Sequence, residues 1–65
     1  MKRKDLVKHL RRHGCRLVRE GALHSIWENP EKETHTAVPR HREIVEFTAM
    51  RICDQLEIPR PKSAP

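Results

Sequence analysis

The sequence predicts an α+β fold, a two-layer sandwich in which two helices cover one face of a three-stranded sheet in the order α-β-β-β-α. Three observations carry this reading. Apolar residues recur at helical spacing near both ends, as Leu6, Val7 and Leu10 and again as Val45, Ala49, Ile52, Cys53 and Leu56. Between them lie three short runs that suit a pleated sheet, separated by Gly21-Ala22 and by Asn29-Pro30-Glu31-Lys32-Glu33. The chain holds no internal repeat and no glycine-rich phosphate loop.

Each element has its own local signal. Residues 4–13 form the first helix, with Gly14 where a left-handed C-terminal cap is wanted. Arg11 and Arg12 in its last turn complement the negative end of the helix dipole. Cys15 to Glu20 gives the first strand, Gly21-Ala22 the turn, and Leu23 to Glu28 the second strand. After the loop at 29–33, Thr34 to Val38 is the third strand, stopped by Pro39, which cannot donate to a ladder. A second helix runs from about Glu43 to Glu57. Phe47 and Met50 flank its buried stripe, and Ile58 closes the core. One domain therefore occupies residues 1–58. Residues 59–65, with three prolines, form an extended or disordered tail.

A chain of 65 residues buries only about 60% of the surface its unfolded form exposes, so a tightly bound partner is a physically reasonable source of stability. Cys15 and Cys53 lie in different elements without a CxxC partner, which argues against a zinc site and for small buried hydrophobes. No apolar run approaches the roughly 20 residues that cross a bilayer. The Lys- and Arg-rich start lacks the apolar stretch of a secretory signal, so a cytoplasmic location is expected. Charge is unevenly placed: residues 1–20 hold eight basic and two acidic side chains, the remainder six basic and seven acidic. A basic half of this kind favours contact with a polyanion, or is simply a solvated helix face.

His24 is the leading candidate for chemistry. It lies three residues after Gly21 at the mouth of the hairpin, where a strand end holds it rigidly yet leaves it reachable. Imidazole can both accept and donate a proton near neutral pH. An exposed strand histidine without a task is the bland alternative. His9 and His13, four apart on the first helix, could share a metal ion but fit a surface pair better. With no acidic pair at two-metal spacing and no cofactor motif, any catalysis should be metal-independent acid/base work. RNA suits that chemistry because its 2′-hydroxyl supplies the nucleophile, leaving proton transfer and charge stabilisation to the protein. Arg11, Arg12, Arg16 and Arg19 are expected to hold substrate phosphates. Arg40 and His41, just after the third strand, are expected closer to the reacting group.

These residues also carry a resemblance over Leu6 to Ile58. The first helix ending at Gly14, then Leu17-Val18-Arg19, Gly21-Ala22-Leu23-His24, Val38-Pro39-Arg40-His41, Thr48 and Ile52-Cys53-Asp54-Gln55 together resemble a HicA-type toxin. Such a toxin is the mRNA-interferase half of a HicA–HicB toxin–antitoxin pair. The resemblance implies a double-stranded-RNA-binding-like fold, metal-independent mRNA cleavage with His24 as the catalytic residue, no cofactor, and a HicB-like antitoxin that covers the site. The family hairpin reads Gly-Ser-x-His, and here Ala22 replaces the serine. Glu57 stands where a small residue or glycine usually ends the last helix.

Two questions stay open on sequence. Ile26 shares the strand face of His24, so either His24 lies at a sheet edge beyond the helices or both face the open side. Trp27 points the other way, as the largest core filler or, on the open side, as a platform for a base. The same basic surface also suits a non-catalytic RNA-binding module. A DNA regulator acting through a partner is a weaker alternative, because no helix-turn-helix is recognisable.

Overall fold

The computed structural model describes residues 1–61. Its elements are α1 (Arg3–Arg12), β1 (Arg16–Glu20), β2 (His24–Asn29), β3 (Thr34–Pro39) and α2 (Glu46–Leu56). The strands form one antiparallel sheet in the order β1-β2-β3. Both helices lie on one face, giving the expected two-layer α+β sandwich.

The core follows from the alternation of the strands against the stripes of the helices. Ser25, Trp27 and Asn29 of β2 and Thr36 and Val38 of β3 are buried, while their neighbours point to the open face. Against them pack Leu6 and Leu10 of α1 and Ala49, Ile52, Cys53 and Leu56 of α2, with Cys15, Ile44 and Ile58 closing the edges. Each fully buried leucine contributes about 1.5–3 kcal/mol of transfer free energy. Trp27 is 2% exposed and is therefore core, with the Arg11 guanidinium 5.1 Å from its ring centroid.

Both helices end in the same hydrogen-bond pattern. Cys15 N donates to Leu10 O and Gly14 N to Arg11 O, with Gly14 at φ 80°. At α2, Ile58 N donates to Cys53 O and Glu57 N to Asp54 O, but there the left-handed position is Glu57, at φ 57°. The carbonyl of Leu56 accepts from Asn29 Nδ2 at 2.8 Å and from Thr34 Oγ1 at 3.1 Å.

The boundaries differ most from the sequence reading at Asn29 and at the start of the second helix. Asn29 is the last residue of β2 and is buried, because its amide closes the end of α2. The second helix starts at Glu46, not near Glu43. Residues 42–44 are drawn instead into pairing with the first residues of the chain: Arg3 N donates to Arg42 O, Ile44 N to Met1 O, and Lys2 bridges Glu43. In consequence Ile44 takes the core position expected for Val45, which is 70% exposed.

At the far end, Pro59 O accepts a 2.7 Å hydrogen bond from His9 Nε2, and Arg60 pairs with Asp54 at 2.8 Å. The Arg60 guanidinium holds the Asp54 carboxyl below its ordinary range. Residues 62–65 of the expected tail lie outside the described residues.

Candidate functional site

Gly21 fixes how the hairpin delivers His24. The chain turns back through residues 21–23, and Gly21 N donates to His24 O at 2.8 Å. A Cβ at position 21 would stand 2.7 Å from that same carbonyl oxygen, closer than packed atoms tolerate. Only glycine permits this contact, so the backbone of His24 is clamped by the residue three before it. The imidazole is exposed, and His24 pairs with Pro39 at the end of the β2–β3 ladder.

His24 and Ile26 face the open side of the sheet, since Ser25 and Trp27 between and beyond them are buried against the helices. Arg19 joins them through an irregularity in β1. Leu17 pairs with Trp27 and Arg19 with Ile26, so two residues of β1 span one step of β2 and Val18 is the extra residue of a bulge. In a regular strand Leu17 and Arg19 would share a face. The bulge turns Arg19 to the open face, beside His24. A shallow hollow there of about 450 Å³ is lined by His24, Arg19, Ile26 and Ala37 with the turn residues Gly21, Ala22 and Leu23. The Arg19 guanidinium has no ion-pair partner among the described residues.

The turn is braced from behind by a polar network that sequence reasoning missed. Ser25, fully buried, donates its hydroxyl to Glu20 Oε1 and accepts from Arg3 Nη2 at 2.9 Å. Arg3 Nε also donates to Pro39 O at 2.9 Å. Arg40 donates to Gly21 O at 3.1 Å, lies 3.6 Å from Glu20 Oε2, and gives its backbone N–H to Leu23 O. Residues from α1, all three strands and the segment after β3 thus hold the hairpin that carries His24. The one sequence signal was a serine and a glutamate on the inner face of a hairpin, and only the register pairs them.

The remaining expected site residues are dispersed. Arg16 is on the open face but at the other end of β1, bound to Glu28 Oε1 at 2.5 Å, with His35 3.6 Å from the same carboxylate group. Arg11 lies over Trp27 on the helix layer, and Arg12 is exposed on α1. His41 is exposed and lines neither the hollow nor the groove around Arg40. The structure therefore gathers His24, Arg19 and, through the turn, Arg40. It does not bring Arg11, Arg12, Arg16 or His41 to them. Among the described residues no three His, Cys, Asp or Glu side chains are grouped to hold a metal ion.

Residues 3–58 match the family model described as the HicA toxin of bacterial toxin–antitoxin systems. The chain belongs to the HicA toxin family. As a HicA toxin it is the toxin component of a toxin–antitoxin system, and its α-β-β-β-α sandwich is the double-stranded-RNA-binding-like fold of that family. No curated protein and no solved structure matches the chain significantly. No helix among the described residues is long and apolar enough to cross a membrane.

Proposed function

We propose that this HicA chain is an endoribonuclease that cleaves mRNA in the cytoplasm without a metal ion, with His24 as general acid/base. The observation that carries the reading is the exposed, backbone-clamped imidazole of His24 in an open hollow with the unpaired Arg19.

A phosphodiester seated in that hollow would place its charge on Arg19 and its 2′-hydroxyl toward His24. The neutral imidazole takes the 2′-OH proton as the 2′-oxygen bonds to phosphorus. The P–O5′ bond then breaks, and a proton from the imidazolium passes to the leaving 5′-oxygen. The products are a 2′,3′-cyclic phosphate and a 5′-hydroxyl, and no atom need come from water or metal. Arg40 serves by bracing the turn through Gly21 O and Glu20, in addition to any contact with phosphate. General acid/base transfer of this kind contributes about 10²–10⁴-fold.

Replacing the 2′-hydroxyl at a mapped cleavage site by hydrogen should abolish cleavage there, and the wild-type products should carry cyclic phosphate. Cleavage of the deoxy-substituted site, or loss of activity in EDTA, contradicts the mechanism.

The partner of this toxin is, on the same reading, a HicB-like antitoxin that covers the open sheet face and buries His24. A surface with an acidic group for the unpaired Arg19 would gain association rate from opposite charge. Co-expression with the adjacent reading frame should yield one complex on size exclusion and relieve growth inhibition. A neighbour that does neither removes this assignment.

A further inference from the structure

A second concavity adjoins the hairpin turn through Arg40, and no step of the cleavage chemistry uses it. This open groove of about 590 Å³ is lined by Lys2, Arg3, Lys4, Arg40, Arg42 and Glu43. Five of these six side chains are cationic. Two are anchored: Arg3 by Ser25 and Pro39 O, and Arg40 by Gly21 O and Glu20. The Glu43 carboxylate lies 3.6 Å from the amino group of Met1. Lys2, Lys4 and Arg42 have no side-chain hydrogen bond or ion pair among the described residues.

Gathering like charges in a concave surface concentrates positive potential and draws in a polyanion with release of its counterions. The lining contains no apolar or aromatic side chain, so the groove lacks the apolar core of a protein–protein interface. Phosphate contacts need cations alone. Arg40 links this groove to the active hollow, because it lines the groove and hydrogen-bonds Gly21, which lines the hollow with His24. A strand leaving the hollow over the turn therefore meets the groove next.

We propose that the Lys2–Lys4–Arg42 groove binds phosphodiesters of the substrate RNA flanking the one presented to His24, which makes cleavage efficiency depend on substrate length. This assignment rests on the ribonuclease reading above, and the test separates the two. The variant Lys2→Gln/Lys4→Gln/Arg42→Gln changes three exposed side chains, and an unchanged thermal midpoint establishes that it is folded. Its affinity is measured against salt, by fluorescence anisotropy, with an RNA of about twelve nucleotides made uncleavable by 2′-deoxy substitution; loss of three contacts should flatten the log K against log salt slope by about 2 units and weaken binding about tenfold or more. Cleavage of a dinucleoside monophosphate, which has no flanking phosphate, should stay within about twofold of wild type, whereas the longer RNA loses kcat/KM. The charge-preserving variant Lys2→Arg/Lys4→Arg should keep the wild-type slope.

Unchanged affinity and slope in the triple glutamine variant overturn the proposal. Loss of binding to a co-expressed acidic protein, with RNA binding intact, also overturns it and assigns the groove to a protein. Groove-dependent RNA binding by a chain that cleaves neither substrate contradicts the ribonuclease reading while leaving the groove's assignment standing.

Discussion

At the scale of single residues, Glu57 and Cys53 show how side-chain type and position interact. Glu57 occupies the left-handed cap of α2 at φ 57°, where a Cβ crowds the following carbonyl and glycine does not. Glu57→Gly should stabilise the fold by about 1 kcal/mol after its extra unfolded-state entropy, raising the thermal midpoint by roughly 4–8 °C. A lower midpoint would mean that the Glu57 side chain makes a compensating contact. Cys53 is fully buried, and its thiol is pushed up to about 11 from an ordinary 9.0, first by burial and then by Asp54 and Cys15. Because the unfolded chain releases this proton first, the stability it contributes is intact below pH 9.0 and is lost as pH rises from there toward about 11. Cys53→Ala should flatten the decline of the thermal midpoint above pH 9.0, leaving the smaller effect of Cys15, whose thiol burial also raises. An identical decline in the variant would contradict that assignment. Sequence identified both cysteines as buried small side chains. Glu57's conformation was visible only as a departure from the glycine or small residue usual there.

At the scale of elements, what was legible was whatever local chemistry decides. The stripes of α1 and α2 and the glycine at 14 all act within a few residues, and the elements form where they indicate. What was not legible depends on partners distant in sequence. The start of α2 is set by residues 42–44 pairing with residues 1–3. Asn29 reads as loop by composition, yet its amide is held by Leu56 O across the molecule. Asn29→Ala leaves Leu56 O with Thr34 Oγ1 alone and should cost about 1–3 kcal/mol in chemical denaturation. A near-neutral result would show that water replaces the amide. The hairpin makes the sharper prediction. In Gly21→Ala the new methyl meets His24 O, so the turn must open; overpacking of this kind costs about 1–3 kcal/mol. RNA cleavage should fall far more than stability, because the displaced backbone is that of His24. Full activity in this variant would show that the clamp is irrelevant to the site.

At the scale of the whole molecule, the sheet has two characters. One face is consumed by the helices and supplies nearly all the core; the other carries His24, Arg19, Arg16 and His35 in the open. Sequence placed His24 at the hairpin mouth but left its facing undecided, since an alternation of two does not say which set is covered. The burial of Ser25 and Trp27 decides it. Nor could the basic first half be divided on sequence. A bulge one residue long selects Arg19 for the hollow, helix geometry keeps Arg11 and Arg12 away, and Glu28 occupies Arg16.

The central claim is that this HicA toxin cleaves RNA through the imidazole of His24. It is tested most directly by purified His24→Ala against wild type on a long RNA with EDTA present, with thermal unfolding as the control for folding. The side chain is exposed and makes no hydrogen bond among the described residues, so the variant should unfold at the wild-type midpoint. Cleavage should fall by about 10²–10⁴-fold, the range expected for a lost general acid/base. A folded His24→Ala chain that cuts RNA at the wild-type rate would contradict the account.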